Sequence, residues 1–346
     1  MPELLAVRNL TVEFATEQGA AQVLDAISLA IGPGEVVGLV GESGCGKTTL
    51  ARAILGILPG NARVRGGEIR FQGRDLLREP AATLSHTVRG RAITFIPQDP
   101  YSSFNPLFTV GTQIMELMKW KSPRLREEAS GDGRGGELWP DLLRVYPRRR
   151  RRADRGAVLE ILRAAQIPEP ERALRRLPHE FSGGQRQRLM IAMALLPRPD
   201  LVIADEPTSA LDVTIQAQVL RLLRQLVKER GVSVLFTTHD LGTAHEICDR
   251  IVVMYAGQEM EAAPTDRFFS RPLHPYTRRL LDSLPHPQRE IRDIPGEVPT
   301  LIDPPSGCRF HPRCEYATSE CPAVRPAEQT VEPDHRVRCY HPVGLA

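Results

Sequence analysis

Gly41-Glu42-Ser43-Gly44-Cys45-Gly46-Lys47-Thr48 constrains this chain more than any other stretch. It fits G-x-x-x-x-G-K-[ST], and the apolar run Val36-Val37-Gly38-Leu39-Val40 feeds directly into it. A helical pattern follows over 48–58. Strand, glycine loop and helix in that order form the context in which this spacing cradles phosphates. The glycines let backbone N–H groups turn inward, and the helix N-terminus adds partial positive charge. Lys47 supplies a charge for β- and γ-phosphates, and Thr48 a hydroxyl for Mg²⁺. Thr49 completes the turn. Cys45 fills a variable slot as a small residue.

A second short apolar run, Leu201-Val202-Ile203-Ala204, ends in Asp205-Glu206, and a third covers 232–237. Such runs suit buried parallel strands. Helical spacing recurs over 185–196, 214–228 and 241–248. Alternating strands and helices predict a doubly wound α/β core. Residues 3–35 instead alternate apolar and polar positions, which predicts antiparallel strands beside it. Asp205 suits a Mg²⁺ contact. Glu206, one position on, can reach an attacking water.

Between these motifs stands Phe181-Ser182-Gly183-Gly184-Gln185. The order phosphate loop, Gln98, Ser182–Gln185, Asp205-Glu206, Ser209-Ala210-Leu211-Asp212 and His239 resembles the nucleotide-binding domain of ABC transporters. Phe181 stands where the family usually has Leu. The resemblance implies a cassette over 1–265 with a RecA-like core, an antiparallel β subdomain and a helical subdomain at about 99–190. It implies ATP held by Phe14, Gly41, Ser43, Gly44, Cys45, Gly46, Lys47, Thr48 and Thr49. Phe14 would stack on adenine; a core Phe is the competing reading. Thr48, Gln98 and Asp205 would serve Mg²⁺, with Glu206, His239 and Gln98 at the hydrolytic centre. Ser182, Gly183, Gly184, Gln185 and Asp212 would face the nucleotide of a partner ATPase across a head-to-tail dimer.

Further segments narrow the resemblance to oligopeptide and dipeptide importer ATPases. They are Pro97–Pro106, His274-Pro275-Tyr276-Thr277, Pro295–Pro299 and Gly307–Cys314. That subfamily implies two transmembrane permease subunits, one contributing a short helix that docks beside residues 99–190. It also implies a second, paralogous ATPase and, indirectly, an extracytoplasmic peptide-binding protein. The expected place is the cytoplasmic face of the plasma (inner) membrane, as a peripheral subunit. A soluble mechanical ABC ATPase acting on nucleic acid or ribosomes is the rival class. The net charge of +3 gives nucleic acid no support. Such ATPases usually carry tandem cassettes or coiled-coil arms; this chain has one cassette and neither arm.

Two regions stand apart. Residues 121–155 end in five arginines, Arg148 to Arg152, and read as an inserted mobile loop with short helical pieces. Residues 266–346 read as a small, loop-rich extension, since 14 of the 30 prolines fall between Pro264 and Ala346. Cys308, Cys314, Cys321 and Cys339 also lie there. In a reducing compartment four clustered thiols point to metal or to nothing. Their gaps exceed those of zinc knuckles, and the Cys-Pro at 321–322 echoes cluster proteins, so [4Fe–4S] leads. Zn²⁺, with His311 or His335 as substitute ligands, comes second, and free thiols third. The cluster is expected to be structural, because it lies outside every nucleotide motif.

Overall fold

The computed structural model describes residues 3–125, 146–209, 211–284 and 293–344. Its strands, in chain order, are β1 (Leu5–Thr16), β2 (Gly19–Ile31), β3 (Val36–Val40), β4 (Ala62–Phe71), β5 (Arg74–Asp75) and β6 (Ile93–Ile96), then β7 (Leu201–Asp205), β8 (Ser233–Thr238), β9 (Arg250–Tyr255), β10 (Gln258–Pro264), β11 (Gln329–Glu332) and β12 (His335–Val337). The main helices are α1 (Lys47–Leu55), α2 (Val110–Lys121), α3 (Arg148–Ala164), α4 (Gly183–Leu195), α5 (Val213–Arg230), α6 (Leu241–Ile247), α7 (Thr265–Ser270) and α8 (Pro275–Asp282). The chain divides into two compact units, 1–80 with 233–346, and 81–232.

The first unit holds the phosphate loop. Val36–Val40 is buried throughout and pairs in parallel with β8 and β9. It is a central strand, which is why its sequence is apolar at every position rather than alternating. β10 and then β12 and β11 extend this sheet in antiparallel fashion, so the proline-rich tail returns to the core. The tail therefore carries more regular structure than its prolines suggest. Pro275 sits in the first turn of α8, where its missing N–H costs nothing. The alternating N-terminal segment forms the antiparallel sheet β2-β1-β4-β5, as its period predicts.

The second unit holds β6 and β7, paired in parallel, with α2 to α5. The stretch 121–155, expected as a mobile loop with short helical pieces, ends in regular helix. Residues 126–145 lie outside the described residues, but Arg148–Arg152 opens the 17-residue helix α3. Arginine has high helix propensity, and the run is anchored from within. Arg150 is buried and faces Asp154 one turn on, at 3.9 Å. Asp154 is fully buried and accepts hydrogen bonds from Ser122 Oγ (2.8 Å), Arg124 (3.0 Å) and Tyr146 Oη (2.7 Å). Burial and Asp154 together push the Tyr146 hydroxyl well above its usual range. Two residues of this stretch, Arg150 and Asp154, are thus core.

Candidate functional site

The phosphate loop wraps the start of α1. Gly41 and Gly46 adopt left-handed angles, φ 153° and 107°. A side chain at Gly41 would collide with the Met254 carbonyl, and one at Gly46 would lie 2.8 Å from Leu24. Only glycine fits both places. Lys47 is buried, and its ammonium donates to the carbonyls of Gly41 (2.8 Å) and Glu42 (3.3 Å). Cys45 is buried with its sulfur 3.8 Å from that ammonium, and desolvation pushes its thiol upward. It is packed rather than presented. Ser43 and Gly44 are exposed, while Thr48 and Thr49 are half-buried in the first turn of α1. Phe14 is half-buried on β1, opposite Ala21 of β2. His239 is exposed just beyond β8, before Asp240 caps α6.

In the second unit, Asp205 is the buried last residue of β7. Glu206 follows with φ 45°, a left-handed turn that carries its carboxylate off the strand axis. Gln98, exposed beyond β6, donates from Nε2 to Glu206 Oε2 at 3.0 Å. Two residues separated by 108 positions therefore share one polar contact. Ser182 caps α4. Its hydroxyl accepts from Gln185 N (3.3 Å), while Gln185 Oε1 accepts from Ser182 N (3.1 Å). This reciprocal pair leaves the first turn of α4 lined by Gly183 and Gly184, with no acidic residue to compete for an anion. A methyl at Gly184 would press on Ile215, at 2.5 Å. Asp212 caps α5 by accepting from Ile215 N at 3.0 Å. Tyr101 stacks over the Arg186 guanidinium, 3.4 Å from ring centre, tying the segment after Gln98 to α4.

The ABC transporter family matches residues 24–209, and the family described as "Oligopeptide/dipeptide transporter, C-terminal region" matches 260–321. A probable peptide ABC transporter ATP-binding protein of Sinorhizobium fredii is 43% identical, over 97% of this chain and 94% of its own. The dipeptide transport ATP-binding protein of Bacillus subtilis is 40% identical, over 98% and 95% respectively. A dimeric structure of a bacterial ABC transporter cassette superposes with TM-score 0.60 at 26% identity, over 75% of this chain and 98% of that one. The chain belongs to the ATP-binding subunits of the oligopeptide/dipeptide ABC transporters. Among the described residues no helix of this ABC ATPase is long and apolar enough to cross a membrane.

Two further surfaces of this peptide-transporter ATPase are lined by none of the nucleotide-motif residues. Along α2, Phe108, Gln113, Glu116, Leu117, Trp120 and Lys121 line an open apolar groove of about 560 Å³. Leu107 beside it is 81% exposed. In the tail, Cys308, Cys314, Cys321 and Cys339 line one small cavity together with His311 and His341. Cys339 Sγ accepts from His341 N at 3.3 Å and Cys321 Sγ from Thr318 N at 3.5 Å. Burial pushes the thiols of Cys308 and Cys339 up to about 11 and about 12. Among the described residues, however, no three His, Cys, Asp or Glu side chains form a ready metal site. His335, held in reserve as a ligand, is buried elsewhere, with Nε2 2.8 Å from Glu261 Oε1.

No pattern in the sequence indicates that the tail touches the phosphate loop. Arg313, one residue before Cys314, donates to both carboxylate oxygens of Glu42 at 2.9 and 3.3 Å. The pair is separated by 271 positions, and no local pattern connects them.

Proposed function

We propose that this chain is one ATPase of a head-to-tail pair that powers import of di- or oligopeptides through two permease subunits. The observation that carries the reading is the joint presence, along one chain, of a phosphate loop in which Gly41 and Gly46 admit no side chain and of a peptide-transporter tail. Lys47 and the loop amides hold the triphosphate. Thr48 and Asp205 would hold Mg²⁺, which offsets charge on the β- and γ-phosphates. Glu206 takes the proton of the attacking water, and Gln98, bonded to it, fixes its carboxylate. His239 orients the γ-phosphate or the water. Phe14 stacks on adenine. Ser182, Gly183, Gly184, Gln185 and Asp212 meet the nucleotide of the partner ATPase, a reading supported by the dimeric state of the similar cassette. Loss of the γ-phosphate then removes the contact that holds the pair closed. The apolar groove along α2 takes a permease helix.

Four thiols around one cavity have the donor chemistry of a [4Fe–4S] centre, and the peptide N–H groups on Cys321 and Cys339 suit thiolates. Such a centre would cross-link the tail from Cys308 to Cys339 and supply folding energy that a small, proline-rich segment lacks. The arrangement would have to tighten on loading, since no ready site exists among the described residues. Co-expression with candidate permeases tests the function: a stable complex whose ATP turnover responds to peptide-loaded binding protein is expected. Failure to associate with any permease, alongside binding to ribosomes or nucleic acid, overturns it. Anaerobic preparation tests the centre: about four irons per chain and a brown colour are expected. One zinc per chain supports the runner-up, and neither metal refutes both.

A further inference from the structure

We propose that Arg313 is a positioning residue of the nucleotide site: it neutralises Glu42 and so keeps the phosphate loop able to accept a polyanion. Glu42 is the second residue of the loop. Its carboxylate stands beside a site for three phosphates, where an uncompensated negative charge repels the ligand. The structure supplies the compensation. Both carboxylate oxygens are gripped by the Arg313 fork, a geometry that lysine does not reproduce.

The arginine is built in from every side. Its side chain is only 6% exposed. Nε donates to the Pro295 carbonyl (2.8 Å), and the two terminal nitrogens also reach the Ile294 carbonyl (3.2 Å) and Tyr255 Oη (3.1 Å). The same carboxylate and phenol hydrogen bonds hold the guanidinium protonated against its burial. Glu42 is held from a second direction, its N–H donating to Tyr276 Oη at 3.1 Å. Its carbonyl accepts from Lys47, so the loop residue that Arg313 orients also positions the phosphate-binding ammonium.

A parallel contact leaves from the other end of the same tail turn. Arg309, next to Cys308, is fully buried and donates to the carbonyls of Ala256 and Gln22. The adjoining Gly257 N–H donates to the Cys45 carbonyl of the loop at 3.0 Å. Of the two arginines between Cys308 and Cys314, Arg313 therefore reaches the phosphate loop directly, and Arg309 holds the Ala256–Gly257 turn that touches it. The proposal does not depend on what the four thiols hold.

The test is a double-substitution cycle on the full-length chain, read as equilibrium affinity for a fluorescent ATP analogue with Mg²⁺, at two salt concentrations. Arg313→Gln should weaken binding roughly tenfold at low salt, and less at high salt, because bare charge repulsion is screened. Arg313→Lys should fall between. Removing the carboxylate as well, in Glu42→Gln/Arg313→Gln, should restore affinity to within roughly threefold, since the repelling group is gone. Metal content and thermal midpoint measured on the same samples separate this role from general support of the tail. Affinity that stays low in the double variant, or falls only in step with the thermal midpoint, overturns the proposal. So does unchanged affinity in Arg313→Gln. If that variant does not fold, Arg313→Lys and the double variant still decide, because support of the tail predicts no recovery on removing Glu42.

Discussion

Replacing Asp154 by Ala removes a buried carboxylate on which two helices depend. Three donors converge on it, from Ser122, Arg124 and Tyr146, with Arg150 close behind. Ser122 is fully buried and Arg150 nearly so, so neither reaches water once the carboxylate is gone. A buried hydroxyl left without its acceptor costs about 1–3 kcal/mol. Breaking one side of a buried ion pair costs about 3–5 kcal/mol, and the two figures overlap rather than add. The expected loss is about 3–5 kcal/mol, against about 5–15 kcal/mol for a whole domain. Urea denaturation, with hydrogen exchange resolved on α2 and α3, reads this directly. Both helices should lose protection together, and the unfolding midpoint of this unit should fall. Asp154→Asn, which keeps one acceptor, should lose less. If this stretch were a surface insertion, the change would stay within about 0.5 kcal/mol. A shift that small would refute the buried anchor.

Other outcomes follow from the site. Glu206→Gln should lower ATP turnover of the assembled transporter by about 10²–10⁴-fold while nucleotide still binds, because the amide keeps the contact with Gln98 and loses the base; turnover within threefold of normal would remove Glu206 from that role. Ser182→Ala in one ATPase at a time should impair hydrolysis at the other subunit's phosphate loop, and a defect at its own Lys47 would break the head-to-tail arrangement. Cys339→Ser should cut iron per chain by more than half and loosen β11 and β12 in hydrogen exchange. Equal iron in the variant would show that this thiol is no ligand.

The motifs that could be read from the sequence are those whose chemistry is local. Gly41 to Thr48 declares its conformation within eight residues, and the cap formed by Ser182 and Gln185 spans one helical turn. β3, β7 and β8 were legible because a strand buried on both faces carries an unbroken apolar run, here 36–40, 201–204 and 234–236. The arginine run misleads for the opposite reason. Five adjacent cations suggest a solvated surface, and only Asp154, with its partners Ser122 and Tyr146 from outside the helix, turns Arg150 into a core residue. The contact between Glu42 and Arg313 was invisible because neither residue is unusual where it stands. Each acquires its role when the tail returns to the sheet. Prolines likewise hid β11 and β12, short strands whose hydrogen bonds come from β10 and from each other.

The unit that carries the phosphate loop is built from both ends of the chain, 1–80 and 233–346, with 81–232 between them. On the ribosome this imposes a delay. At about 5–20 residues per second, the roughly 150 intervening residues take on the order of ten to thirty seconds to emerge. During that interval β3 has neither of its parallel neighbours, since β8 and β9 are not yet made. A wholly apolar strand waits with both edges open, the condition under which chains pair with the wrong partner. The last strands to appear, β11 and β12, then cover the far edge of β10. Premature termination shortly before Gln329 would therefore leave the seven-residue β10 as the edge in place of the four-residue β11, and such fragments should depend on chaperones far more than the full chain does.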